Sequence, residues 1–301
     1  MESICSLISS GTELKIFRGT FDNSEPLDVN IKGMSDTAMS YPLSYGYSLV
    51  GKIVRCGSSK NDHLLGKHIF TFSPHSSHVI CDLDSIHIIP EGISPKDAIF
   101  FPSVETALSI IHDAHIRMGE RVAVFGQGLI GLLVTSILAL NKYEMKTDDT
   151  GTLFGTVTAF DTLSYRLATA SILGASEALL PQSAIQAGPF DVTIEVSGNG
   201  RALQTAIDCT SDHGRIVIAS WYGSSNVPLQ LGMDFHRSHK TLLATQVSEI
   251  PPKLSGLWSK RKFLFSYKIP PQKTIFIFIG LTQKGKLDDN FFSNHLYSYF
   301  F

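Results

Sequence analysis

Apolar positions in the second half of the chain fall into short unbroken runs, separated by stretches of helical spacing. The runs at 122–125 (VAVF), 156–160 (TVTAF), 191–196 (DVTIEV) and 215–220 (RIVIAS) read as strands. The stretches at 129–140, 164–173 and 201–210 read as helices between them. Strands alternating with helices predict a parallel, doubly wound sheet. Ligands of such sheets bind beyond the carboxyl ends of the strands. Those ends are Gly126, Asp161, Ser197-Gly198 and Trp221-Tyr222-Gly223. A further strand at 227–231 (VPLQL), or the segment after it, is expected as a sheet edge.

The first half is patterned differently. Strand-forming residues cluster at 47–55, 66–72 and 78–81, punctuated by Gly46, Gly57, Gly66 and Pro74. That predicts a small β domain of barrel-like kind over residues 1–95. The character changes across 90–95 (PEGISP). Ser94 reads as a helix cap with Pro95 in the first turn, opening a helix over 96–114 interrupted at Pro102. The linker helix and α/β domain are expected over 96–250. A tail over 251–301 shows a basic amphipathic stretch (254–265), an apolar β-prone one (274–279) and no sustained period.

Composition narrows the picture further. The chain has 301 residues with 43% hydrophobic and 17% charged, enough for a packed core in two ordinary domains. A formal net charge of −2 gives no nucleic-acid surface and no polybasic membrane patch. No apolar stretch is long enough for a transmembrane helix, and residues 1–15 carry Glu2 and no basic n-region, so no secretory signal is expected. Cys5, Cys56, Cys81 and Cys209 make no C-x-x-C pair, so free thiols and a cytoplasmic setting are expected.

Chemistry concentrates at Gly126, Gly128 and Gly131, spaced G-x-G-x-x-G between a strand and a helix. The first glycine permits the tight turn, the second lets the backbone approach a pyrophosphate, and the third lets the helix pack on the sheet. Helix N–H groups and the dipole then face the phosphates. An acidic residue should end the next strand and bond the ribose, and Asp161 stands there. It follows Gly131 by 30 residues where roughly 20 is usual. The polar stretch 141–155 accounts for the excess as an inserted loop. A carboxylate repels a 2′-phosphate, so NAD is the expected cofactor. Lys142 and Lys146 nearby leave NADP open.

Several segments together resemble the medium-chain dehydrogenase/reductase superfamily of zinc-type alcohol dehydrogenase relatives. They are SSGTELKIFRG (9–19), YGYSLVGKIV (45–54), SPHSSHVI (73–80), VETAL (104–108), GERVAVFGQGLIG (119–131), FDVTIEVSG (190–198), GRIVIASWYG (214–223) and DFHRSHK (234–240). The first, second and last look most like the bacteriochlorophyllide dehydrogenase-like branch. The resemblance implies a GroES-like β domain followed by a Rossmann domain, with hydride transfer to or from an alcohol, ketone or enone. It implies cofactor contacts at Gly126, Gly128, Leu129, Ile130, Gly131, Asp161, Arg166 and Ser197. It also implies a small-molecule substrate and a homodimer paired through the Rossmann sheet edge. Against the family's pattern the chain looks shortened at its N-terminus and divergent in its tail. That makes a catalytically impaired dinucleotide-binding protein, a truncated relative or sensor, the alternative expectation.

Zinc-dependent relatives hold the metal with Cys in a C-x-[ST]-D segment, His in a G-H-E segment, and a third Cys or Glu. Here the segments read Ser10-Gly11-Thr12-Glu13 and Gly46-Tyr47-Ser48, leaving Glu105 alone as a donor. One carboxylate makes no tetrahedral site, and His75 and His78 supply two nitrogens without further ligands, so no zinc is expected. Charge on the substrate oxygen must then be met by a hydroxyl donor or a positive group. Thr12 and Tyr47 are the candidates, with Glu105 as an acid. Thr12 reads equally as a turn cap, Tyr47 as a core aromatic, and Glu105 as a helix-face charge.

Overall fold

The computed structural model describes residues 1–21, 38–143 and 155–246. Lys146 and most of the inserted loop, and the tail 251–301 with its two patterned stretches, lie outside the described residues. The chain divides between Pro102 and Ser103 into two compact units.

The first unit carries a four-stranded antiparallel sheet of β1 (Glu2–Ser6), β2 (Leu49–Lys52), β3 (His68–Thr71) and β4 (Ile86–Ile88), neighbours in that order. Ser3 pairs with Gly51. A Cβ on Gly51 would stand 2.3 Å from the Glu2 carbonyl oxygen, so glycine is what admits β1. The rings of Phe70, Phe72, His87 and Phe101 pack with centroids 5.0–6.4 Å apart, in the offset and edge-on geometries that aromatic quadrupoles favour. A short helix, α1 (Glu13–Phe17), buries Ile16 against Phe21 and Met39. The expected strand at 78–81 does not form. His78 makes only an isolated bridge to Glu2, and Ile80 is fully exposed, so the alternation there buries no face.

Ser94 caps α2 (Pro95–Ala98) as expected, its Oγ accepting the Asp97 N–H at 3.2 Å. The helical stretch is interrupted next to Pro102, as expected, at residues 99–100. Pro102 is the second residue of α3 (Phe101–Asp113), in the first turn, where its missing N–H costs nothing.

The second unit contains a six-stranded parallel sheet. Its elements are β5 (Arg121–Phe125), α4 (Leu129–Tyr143), β6 (Thr156–Phe160), α5 (Ser164–Ile172), β7 (Glu177–Leu179), α6 (Ala184–Ala187), β8 (Phe190–Glu195), α7 (Gly200–Asp208), β9 (Thr210–Ile218), α8 (Met233–Arg237) and β10 (Thr241–Ala244). The strand order is β10-β9-β8-β5-β6-β7. The connections reverse direction between β5 and β8, and a crevice opens at such a switch point. Strand interiors are apolar on both faces because helices cover both. Val122, Ala123, Val124 and Phe125 are each at most 2% exposed. Phe125 stacks on Phe160 at 4.7 Å, and Phe160 meets Phe190 edge-on at 5.9 Å. Each such ring contributes about 1.5–3 kcal/mol by leaving water.

Two expectations are corrected here. Helix α4 runs on to Tyr143, so Asn141 and Lys142 belong to it and not to the loop. Residues 227–231 form no strand. Val227 and Leu229 instead pack against the core of the unit, Pro228 lacks a ladder donor, and the segment after it supplies the sheet edge as β10.

Candidate cofactor-binding site

The turn leaving β5 is shaped by its glycines. Gly126 has φ +98°, and a Cβ there would lie 2.7 Å from Ser197 Cα, so the turns after β5 and β8 touch. Gly131 lies in the first turn of α4. A Cβ there would fall 1.8 Å from the Gly126 carbonyl oxygen, so the helix can approach the strand end only without one. A Cβ on Gly128 would meet nothing within 4 Å. The space beyond Gly128 is open, as a backbone that receives a pyrophosphate requires.

Gln127, between these glycines, is fully buried. Its side-chain amide donates to Val124 O at 3.0 Å and accepts from Thr135 Oγ1 at 3.0 Å. Its backbone N–H donates to Asp161 Oδ2 at 2.7 Å. Asp161 Oδ1 accepts the Leu163 N–H at 2.9 Å. The acidic residue at the end of β6 therefore clamps the glycine turn. A carboxylate offers about four acceptor positions, so two remain for hydroxyl donors such as those of a ribose. Arg166, on α5, places Nη1 3.6 Å from Asp161 Oδ2 and stays partly exposed.

Ser197 is exposed at the end of β8, and a residue not singled out from the sequence organises it. Glu195 is fully buried. Its Oε1 accepts from Ser197 N and Ser197 Oγ, both at 2.7 Å, and from Gly198 N at 3.1 Å. Its Oε2 accepts from the Tyr222 hydroxyl at 2.6 Å. Burial pushes the Tyr222 hydroxyl well above its ordinary range, and the Glu195 hydrogen bond and charge act the same way, so Tyr222 stays a donor. The sequence signal was a charge closing an apolar strand (VTIE).

The expected catalytic residues fall in both units. Thr12 occupies the N-cap position of α1 in right-handed helical conformation, and its side chain makes no capping hydrogen bond. Tyr47 is half-buried just before β2, its ring edge-on to Tyr45 at 6.2 Å. Glu105 is buried in α3, in the second unit. Ser10 is exposed. Among the described residues no group of three or more His, Cys, Asp or Glu has the arrangement to hold a metal ion. Ser10 and Tyr47 are not usual zinc donors. The glycine turn and Asp161 fit a dinucleotide.

The antiparallel GroES-like β unit and the parallel Rossmann unit give the chain the fold of the solved dehydrogenases it resembles. The comparisons agree. The chain's homologues are medium-chain dehydrogenases of the zinc-type alcohol dehydrogenase kind. It is 25% identical over 229 residues to a D-guloside 3-dehydrogenase of Escherichia coli K12, covering 72% of this chain and 62% of that one. It is 30% identical over 189 residues to an L-threonine 3-dehydrogenase of Anaeromyxobacter dehalogenans, covering 55% and 50%. A protein of Escherichia coli CFT073 described as a short chain alcohol dehydrogenase and solved with NADH superposes with a TM-score of 0.58 at 16% identity, over 90% of this chain and 80% of that one. No family model matches. The chain thus spans less than two thirds of the length of these curated relatives.

Proposed function

We propose that this protein is an NAD(P)-dependent oxidoreductase that transfers hydride to or from a secondary alcohol or the corresponding ketone, without zinc. The reading is carried by the glycine turn clamped by Asp161, with open space beyond Gly128. Gly126, Gly128, Leu129, Ile130 and Gly131 would hold the pyrophosphate, Asp161 the adenosine ribose, and Arg166 would lie near the adenine. Ser197 would meet the cofactor from the β8 turn. The nicotinamide, when bound, supplies the hydride chemistry. The chain's own residues must bind, orient and exchange a proton, and Thr12 and Tyr47 are hydroxyl donors for the substrate oxygen. The two relatives' names place their reactions at carbon 3 of a guloside and of threonine, which supports a secondary alcohol in a small polar molecule.

Asp161 favours NAD, while Arg166 beside it would pair with a 2′-phosphate, so NADP is the second choice. Homodimer formation would use β10, the sheet edge. Among the described residues no helix is long and apolar enough to cross a membrane. All four cysteines are free thiols, which supports a reducing compartment such as the cytoplasm.

The test is a thermal-shift titration of the full chain with NADH and NADPH. At about 100 times its dissociation constant the cofactor should add about 2.7 kcal/mol of stability. Gly128→Val should melt like the parent without cofactor and lose the shift, because its side chain enters open space that the pyrophosphate needs. No shift with either nucleotide in the parent refutes the assignment.

A further inference from the structure

Asp161 ends β6 and Arg166 lies in the first turn of α5, and the two show solvent unequal amounts of charge. Arg166 Nη1 stands 3.6 Å from Asp161 Oδ2, and the arginine side chain is 35% exposed against 6% for the aspartate. Both carboxylate oxygens are already engaged by the backbone. Oδ2 accepts the Gln127 N–H at 2.7 Å, and Oδ1 accepts the Leu163 N–H at 2.9 Å. An anion that reaches this turn from solvent meets the guanidinium before it meets the carboxylate.

At 3.6 Å the guanidinium is a charge neighbour of Asp161 and makes no short hydrogen bond to it. Its planar fork stays open for a phosphate, whose oxygens it can take in pairs. The helix holds the residue in place. The Arg166 N–H donates to Leu163 O at 3.0 Å, and the guanidinium carbon lies 5.8 Å from the Tyr165 ring centroid. Leu163, at the N-cap of α5, offers no side-chain acceptor to the first N–H groups of the helix. Their partial positive charge adds to that of Arg166. Thr162 and Ser164, on the same turn, are exposed hydroxyl residues. A carboxylate at this strand end turns away a 2′-phosphate when its charge is unopposed, and an arginine nearby accommodates one. Here the cation stands beside the carboxylate and is the more exposed of the two.

We propose that Arg166 is the specificity-determining residue of the adenosine ribose site and admits a 2′-phosphate there, so that the protein binds NADP(H) as well as NAD(H). The proposal rests on the dinucleotide reading above and fixes which nucleotides that same site takes. With NAD, the ribose hydroxyls use the acceptor positions left on Asp161. With NADP, the phosphate goes to the Arg166 fork and the remaining hydroxyl to Asp161. Asp161 keeps its hold on the glycine turn in both cases.

The experiment is a calorimetric titration of the full chain with NADH, NADPH, 5′-AMP and 2′,5′-ADP, the last two carrying only the adenosine half. The two dinucleotides should bind within about tenfold of one another, and 2′,5′-ADP should bind at least as well as 5′-AMP. NADPH should weaken more than NADH between about 0.02 and about 0.3 M salt, because its extra charges are screened. Arg166→Ala should lower NADPH affinity about thirtyfold or more and NADH affinity only about threefold. Arg166→Lys keeps the charge and loses the fork, so its NADPH affinity should fall between those of the parent and Arg166→Ala. Melting without nucleotide reports folding separately and should change little, since Asp161 keeps both backbone donors. NADH binding with no detectable NADPH binding overturns the proposal and leaves the dinucleotide reading standing. NADPH binding alone does the same, since the site would then require the phosphate. Equal losses for the two nucleotides in Arg166→Ala, or no loss for NADPH, overturn the assignment to Arg166. A parent chain that binds neither nucleotide refutes the dinucleotide reading and the proposal with it.

Discussion

Gly128 and Gly131 stand three positions apart in the same motif, yet the structure gives them opposite sensitivities. A methyl group on Gly128 meets nothing in the protein, while one on Gly131 lands on the Gly126 carbonyl. Gly131→Ala should therefore act on folding. The α4 start must lift from the sheet, and a loss of about 1–3 kcal/mol is expected in a denaturant melt taken without cofactor. Gly128→Val should instead leave that midpoint in place. Equal melts for the two variants would show that the turn relaxes more than its contacts suggest. The spacing of the glycines was legible because each role is a property of one residue type at one position. What the sequence did not show is that Gln127, an ordinary polar residue between glycines, is buried and stitches the turn to Val124, Thr135 and Asp161. Its partners lie at different sequence distances, and no local pattern announces them.

At the scale of elements, the ends of β8 and β9 are held by one buried carboxylate. Glu195 takes four donors, three from the turn after β8 and one from Tyr222 beyond β9. Gly198 N–H also donates to Ser220 Oγ at 2.8 Å. Glu195→Gln replaces an acceptor oxygen with an N–H₂ that must face one of those donors, and it leaves buried groups unmatched. A loss of about 2–4 kcal/mol in denaturant is expected, with weaker NADH binding because Ser197 is no longer fixed against Gly126. Unchanged stability would mean that water enters and satisfies the turn. The long strands and helices of this unit were readable because both faces of the sheet are covered, so their apolar runs are unbroken. The short elements were not. Glu2–Ser6 is five residues of mixed polarity, and its pairing is set by Gly51 on a strand far along the chain. Residues 78–81 carry the same alternation, yet their pairing with the start of the chain stops at the single His78–Glu2 bridge and its flanking hydrogen bonds. Strand formation there is a tertiary fact, and alternation over four residues cannot report it.

The whole molecule separates its chemistry between two units. Gly126, Gly128, Gly131, Asp161, Arg166 and Ser197 lie in the second unit, and so do Gln127, Glu195 and Tyr222, which fix them. Thr12 and Tyr47 lie in the first. Cofactor binding should then survive without the first unit, and turnover should not. Residues 101–246, expressed alone, bury Phe125, Phe160 and Phe190 in a core of their own and keep every hydrogen bond of the glycine turn. This piece should fold to a helix-and-strand circular dichroism spectrum and bind NADH within about threefold of the full chain, a difference of only about 0.65 kcal/mol. It should oxidise none of the alcohols that the full chain oxidises. A folded piece with no affinity for NADH would show that residues outside 101–246 make contacts the cofactor depends on. A folded piece that still turned over alcohol would remove Thr12 and Tyr47 from the chemistry at once and leave Glu105, the buried acid of α3, as the group to test next.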